Sequence, residues 1–159
     1  MSIFTRALAI GVVIGFGSLT TVVAQGTDPA IGMWRLNVEK STYTPGPGPK
    51  SQTVKYEASS MGTTVTTEGV AADGTATMTK YTTKYDGKAV TLTGSANADT
   101  ASLKRIDART IERTDMKAGK KVSTIRRTVA EDGRSMTVVN TGSDASGHPT
   151  TSTSVYDKQ

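Results

Sequence analysis

The chain has 159 residues, a formal net charge of +5, no cysteine and a single histidine. The absence of cysteine excludes disulfides and a lipoprotein anchor, and one histidine leaves carboxylates alone to hold a metal, so no metal or cofactor is expected. No lysine- or arginine-rich tract with interleaved aromatic residues is present, which argues against nucleic acid as a partner.

Residues 1–24 have the pattern of a signal peptide. Arg6 supplies the positive start, residues 7–19 form a short apolar stretch, and Val23-Ala24 ends the segment with small side chains. The apolar stretch is too short to span a bilayer comfortably. We therefore expect a periplasmic or secreted protein whose residues 25–159 form one domain, with no membrane span after cleavage.

The rest of the chain predicts β-strands almost throughout. The first alternates apolar Trp34 and Leu36 with polar Arg35, the period of a half-buried strand. A Pro/Gly-rich spacer at residues 44–49 then separates strands one and two. The ten predicted strands cover residues 32–38, 52–58, 63–70, 75–85, 89–94, 101–107, 110–117, 121–130, 135–141 and 150–157.

Turn dipeptides separate these runs at intervals that suit hairpins. The strongest are the Asp-Gly pairs at residues 73–74, 86–87 and 132–133, since both residue types tolerate the positive φ of tight turns. Weaker signals lie at 97–99, 118–119 and 146–147. We predict an all-β, antiparallel up-and-down meander that closes into a barrel of about 8–10 strands, because closure removes exposed edges.

Gly32-Met33-Trp34 on the first predicted strand resembles the Gly-x-Trp signature of lipocalins and their calycin relatives. The layout of residues 121–156 is similar to the last strands of fatty-acid-binding proteins, although Ser154-Val155-Tyr156 keeps only the Tyr of their Arg-x-Tyr. The segment from Gly32 onward also resembles small exported bacterial proteins of unknown function. The calycin resemblance implies a cup-shaped barrel around a small hydrophobic ligand, with Gly32 and Trp34 structural at the closed end.

Three arginines on neighbouring predicted strands are candidate ligand-binding residues. Each alternates with an aliphatic residue, in the pairs Leu103 and Arg105, Ile111 and Arg113, and Ile125 and Arg127. Aliphatic side chains that point inward would bring the arginines inward with them, where guanidiniums bind carboxylate or phosphate. The alternative is a bulge that turns all three outward, opposite Glu112, Asp115 and Asp107.

Tyr81 and Tyr156 are the other candidate ligand-binding residues. Tyr81 shares a strand face with Thr83 and Tyr85, which predicts either a pocket wall with hydroxyl groups or ordinary core. No catalytic residue is assigned. A nucleophile elbow that His148 could serve is absent, and nothing in the sequence brings Glu68 to Glu112.

The resulting functional expectation is a monomeric, non-enzymatic binding protein. Its barrel would hold a small hydrophobic or amphipathic ligand, with an anionic ligand as one option, and no cofactor. The alternative is a structural or interaction module whose interior is filled by its own side chains and whose surface binds protein or polysaccharide. The spacing of lipid-facing apolar residues and aromatic girdles that an outer-membrane barrel needs is missing.

Overall fold

The computed structural model describes residues 28–144 and 146–159, so the predicted signal peptide at residues 1–24 lies outside the described residues. The described chain is all-β, as predicted. No helix in this part of the chain is long and apolar enough to cross a membrane. The ten strands are β1 (Gly32–Thr44), β2 (Ser51–Ser59), β3 (Gly62–Val70), β4 (Ala76–Thr83), β5 (Asp86–Thr91), β6 (Thr100–Arg105), β7 (Thr110–Lys117), β8 (Lys120–Val129), β9 (Ser135–Ser143) and β10 (Pro149–Lys158).

The strands form one antiparallel up-and-down sheet that curls into a nearly closed barrel. Their order is β4-β3-β2-β1-β10-β9-β8-β7-β6-β5, so the first and last strands are neighbours and Trp34 pairs with Lys158. The seam lies between β4 and β5. There a single bridge joins Lys80 and Thr93 through two backbone hydrogen bonds of 2.9 Å each. The predicted meander is confirmed.

The hairpin turns are placed as predicted at most positions, but their types differ from the expectation. Ala118 and Gly119 both have positive φ (48° and 76°) and form the two-residue turn that the Asp-Gly pairs were expected to form. The turns at Asp73 and Asp132 are wider. In each, the aspartate carboxylate accepts a hydrogen bond from the backbone N–H two residues later, at 2.8 and 2.9 Å. This Asx bond stabilises a longer loop.

The expected turn at Asp86-Gly87 is wrong. Both residues belong to β5, and Asp86 pairs with Lys104 across an irregularity in the β5–β6 ladder. The chain instead reverses direction at Lys84 and Tyr85, where Tyr85 has a φ of 56°. Burial of the Tyr85 ring offsets the strain of that backbone conformation. Because the chain reverses here, β4 ends at Thr83 and not at residue 85 as predicted.

Strand β1 is longer than predicted and continues to Thr44 instead of ending at residue 38. Its pairing with β10 shifts between Asn37 and Thr42. Ser41 stabilises this bulge, because its hydroxyl donates to the Asn37 carbonyl at 2.7 Å and accepts from the Val155 N–H at 3.0 Å. The bulge lets the strand carry Tyr43 to the far end of the barrel, beside the Pro/Gly segment.

One end of the barrel is filled by a compact core. Trp34 is fully buried there, and its indole N–H donates to the Ala30 carbonyl at 2.7 Å. The Asp28–Ile31 loop lies beneath the strands and closes this end. Gly32 follows the loop with a φ of +125°, a conformation that favours glycine. The buried cluster that contains Trp34 also includes Leu36, Leu103, Ile111, Val129 and Met136.

Candidate functional site

A cavity of about 450 Å³ lies inside the barrel, at the end opposite the Asp28–Ile31 loop. Strands β1–β4 and β7–β10 contribute its walls, and Asn97 is an exposed residue at its rim. This volume is toward the lower end of the range of about 300–1,000 Å³ that small-molecule sites occupy. The lining residues are Tyr43, Pro49, Gln52, Val54, Tyr56, Val65, Thr67, Thr79, Tyr81, Ser95, Asn97, Arg113, Ile125, Arg127, Val138, Asn140, Ser152, Ser154 and Tyr156.

Strict alternation along each strand explains why these side chains meet. Residues two apart point to the same face of a strand, so one strand sends a short column of side chains into the interior. Strand β2 contributes Gln52, Val54 and Tyr56 in this way. The same spacing on β8 places Ile125 and Arg127 inside, while Arg126 between them is exposed.

Arg127 lies at the base of the cavity and is already paired. Its side chain is 2% exposed, and its Nη2 donates to Asp28 Oδ1 at 3.1 Å. The guanidinium also lies over the ring of Tyr56, 5.2 Å from the centroid. Desolvation lowers the pKa of Arg127, but Tyr56 and the Asp28 carboxylate outweigh it, so the net pKa is raised and the side chain remains charged.

Arg105 shares Asp28 with Arg127 but lies outside the cavity lining. Its Nη2 is 3.6 Å from Asp28 Oδ2, its side chain is 30% exposed, and its guanidinium lies over the Tyr85 ring. Burial raises the pKa of Asp28, yet Arg127 and the Ala30 N–H more than compensate, so the net pKa lies below its ordinary value. One carboxylate therefore holds two guanidiniums at the closed end.

Arg113 forms part of the cavity wall and is fixed by its neighbour on the same strand. Its Nε and Nη2 donate to the two carboxylate oxygens of Asp115 at 2.5 and 2.8 Å. Its guanidinium lies 4.9 Å from the centroid of Tyr81. This bidentate pair orients the Arg113 guanidinium and offsets its positive charge. The remaining nitrogen, Nη1, makes no hydrogen bond to Asp115.

Every tyrosine of the chain belongs to this interior. Tyr43, Tyr56, Tyr81 and Tyr156 line the cavity, and Tyr85 is buried below it. Burial raises the pKa values of Tyr56, Tyr85 and Tyr156, so these hydroxyls keep their protons at neutral pH. The Tyr43 hydroxyl lies 3.0 Å from Ser154 Oγ, and the Tyr156 hydroxyl donates to Gln52.

Three buried polar atoms of the described chain have no hydrogen-bond partner: Tyr85 Oη, Arg127 Nε and Asn140 Oδ1. Two of these residues, Arg127 and Asn140, line the cavity. Most buried polar groups in folded proteins are paired.

A second depression, of about 570 Å³, lies on the outer face of β7, β8 and β9. Val122 and Val139 form its apolar floor, and Glu112 and Arg126 are exposed at its sides. It is bounded by three adjacent strands only, whereas eight strands surround the interior cavity. We therefore take the interior cavity as the candidate site.

The structure brings four of the five predicted ligand-binding residues to the cavity. Arg113, Arg127, Tyr81 and Tyr156 line it, and Arg105 lies below it. Each of the three arginines lies opposite an aliphatic residue of a neighbouring strand, since Arg105 pairs with Ile111, Arg113 with Leu103 and Arg127 with Ile111. Whether these residues bind a ligand remains a prediction.

Sequence reasoning missed Asp28 as a partner of the inward arginines, and it paired Asp115 with arginine only in the alternative that turned them outward. Asp115 is two residues from Arg113 on one strand, so alternation could have placed them on the same face. Asp28 precedes the first strand and carries no periodic signal.

His148 lies in an exposed loop beside Asp144. Within residues 28–144 and 146–159, no three His, Cys, Asp or Glu side chains gather to hold a metal.

No protein-family model matches the chain, and no curated protein is similar to it in sequence. The ten-stranded, nearly closed antiparallel barrel is compatible with a calycin-like fold.

Proposed function

We propose that this chain is an exported binding protein that holds one small amphipathic molecule inside its barrel, in the manner of lipocalins and fatty-acid-binding proteins. The observation that carries the proposal is the 450 Å³ interior cavity, whose wall combines aromatic rings, hydroxyl groups and two fixed guanidiniums. No covalent chemistry is part of the proposal. Binding is by burial of apolar surface together with directed hydrogen bonds.

The geometry of the wall supports a preformed site. Arg113 is held by two hydrogen bonds to Asp115, and Arg127 is held by Asp28. A ligand would therefore meet side chains whose orientation is already set, which lowers the entropy cost of binding. The compact core around Trp34 closes the opposite end, so the ligand would enter at the Asn97 rim.

The alternative is a structural or interaction module with a filled interior and a binding surface outside. The cavity volume favours the first proposal, because an unfilled space of this size in a protein core costs stability unless it holds water or a ligand. The outer depression on β7–β9 is the surface that the alternative would use.

Native mass spectrometry of the protein purified from its source tests the proposal. We expect one small molecule retained per chain. Thr67→Phe should abolish retention, since Thr67 lines the cavity and a phenyl ring would occupy it. Thr66→Phe is the matched control. Thr66 precedes Thr67 on the same strand but points to the outer face, where its ladder partners are the exposed residues Lys55 and Lys80.

Two results would contradict the proposal. One is a protein that retains no small molecule from its source. The other is equal retention by the Thr67→Phe and Thr66→Phe variants, both shown to be folded by circular dichroism, because retention would then not depend on the interior.

A further inference from the structure

We propose that the molecule held in the cavity is an uncharged mono- or disaccharide; this inference rests on the proposed function. It differs from the lipid that a calycin-like barrel suggests. Uncharged hydroxyl and amide side chains make up most of the lining, and apolar side chains are the minority. The uncharged polar residues are Tyr43, Gln52, Tyr56, Thr67, Thr79, Tyr81, Ser95, Asn97, Asn140, Ser152, Ser154 and Tyr156.

The balance of charge argues for a neutral ligand. Both arginines of the lining already have a carboxylate partner, Arg113 in Asp115 and Arg127 in Asp28. The third interior arginine, Arg105, is partly exposed, so water solvates its charge. An anionic ligand would have to compete with two fixed carboxylates, whereas a neutral ligand needs no counter-charge.

The composition of the wall argues against an acyl chain. The apolar lining residues are Pro49, Val54, Val65, Ile125 and Val138. An alkyl chain against the remaining wall would displace water from the hydroxyl and amide groups that do not pair with one another, without replacing its hydrogen bonds. Each polar group left unpaired in this way weakens binding. A polyhydroxylated ligand would replace those bonds instead.

Sugar rings also match the aromatic part of the wall. Their C–H faces pack against aromatic rings, and Tyr56, Tyr81 and Tyr156 supply such rings on three different strands. Arg113 Nη1, which Asp115 does not use, is a donor suited to a ring or hydroxyl oxygen. Tyrosine thus provides both apolar area and a hydrogen-bonding group in one side chain.

Amide chemical-shift titrations of the purified protein test the ligand class. The probes are maltose, cellobiose, trehalose and N-acetylglucosamine, with dodecanoate as the anionic, acyl comparison. We expect at least one saccharide to shift the amides of Thr67, Thr79 and Asn140 saturably. Its Kd should change by less than about twofold between ~0.05 and ~0.5 M salt, since screening acts on charged ligands.

Paired hydroxyl deletions provide the control. Thr67→Val removes one hydroxyl from the wall with little change of shape, and should weaken saccharide binding by roughly five- to tenfold. Thr66→Val removes the neighbouring hydroxyl from the outer face and should leave the Kd unchanged.

The inference is overturned if none of the four saccharides shifts these amides, or if dodecanoate shifts them with a salt-dependent Kd. It is also overturned if the molecule retained from the source is not a saccharide. In that last case the proposed function still stands, because a ligand is bound. If the protein retains nothing and no probe binds, both proposals fail.

Discussion

Asp28 and Arg127, 99 residues apart in sequence, form an ion pair with almost no contact with solvent: their side chains are 3% and 2% exposed. The pair joins the loop at the closed end to β8, two residues before that strand ends. Because each charge is out of water, each depends on the other for its stability in the folded protein.

Asp28→Asn should therefore destabilise the protein by about 3–5 kcal/mol, because it leaves the Arg127 guanidinium buried without a counter-charge. Urea unfolding followed by the fluorescence of Trp34 measures the change. Glu57→Gln, which removes the exposed partner of Lys55, is the control and should cost less than about 1 kcal/mol. The double variant Asp28→Asn/Arg127→Met should recover part of the loss. A single variant as stable as the parent would contradict this role of the pair.

The acid sensitivity of the fold should also depend on Asp28. Its folded pKa is below its ordinary value of 3.8, so the stability it contributes is fully present above about pH 4 and is lost as the pH falls below 3.8. Arg127 remains charged throughout this range. We expect the free energy of unfolding to fall less steeply below pH 4 in Asp28→Asn than in the parent chain. Parallel curves for the two proteins would exclude Asp28 as a contributor.

Asp115→Asn should be less harmful than Asp28→Asn. It also removes the partner of an interior arginine, but Arg113 is 16% exposed and borders the cavity, where water can solvate it. We expect a loss of roughly 1–2 kcal/mol, below that of a fully buried pair. Urea unfolding of both variants under the same conditions shows which substitution lowers the free energy of unfolding more. A larger loss for Asp115→Asn would mean that the cavity does not hydrate Arg113.

Gly94→Ala should weaken the seam between β4 and β5. Gly94 has a φ of +80°, and a Cβ there would collide with the backbone carbonyl of Met78 on β4. We expect a cost of about 1–3 kcal/mol, together with faster hydrogen exchange of the Lys80 and Thr93 amides that bridge the seam. Gly133→Ala is the matched control, since Gly133 also has positive φ but an added Cβ there would meet no atom within 4 Å. Equal exchange rates in the two variants would contradict the steric account.

Most of the strands, and the faces on which their side chains lie, were predictable because local rules determine them. Period-two alternation around Trp34 indicated β1, and the spacing of Arg105, Arg113 and Arg127 against their aliphatic neighbours placed them on one face of three strands. Loop geometry was less predictable. The turn at Tyr85 depends on burial of its ring in the assembled barrel, which no dipeptide pattern contains.

The candidate site was predictable only in part, for a related reason. A strand pattern gives the face on which a side chain lies, but the partner it meets depends on the tertiary structure. Asp28 reaches Arg127 because the chain before β1 folds under the barrel, and nothing within the loop itself indicates that path. Asp115 and Asp28 partly offset the charges of Arg113 and Arg127, and the strand pattern alone predicted neither pairing.

The pairing of β1 with β10 determines when the barrel can fold. Trp34, near the start of the described chain, has Lys158 as its ladder partner, so the sheet cannot close until the final residues are available. Folds dominated by such distant contacts fold slowly, in milliseconds to seconds. A chain that lacks Pro149–Lys158 would leave unpaired edges on β1 and β9, which favour aggregation and degradation. We therefore expect a copy of the protein without this ten-residue strand to be short-lived.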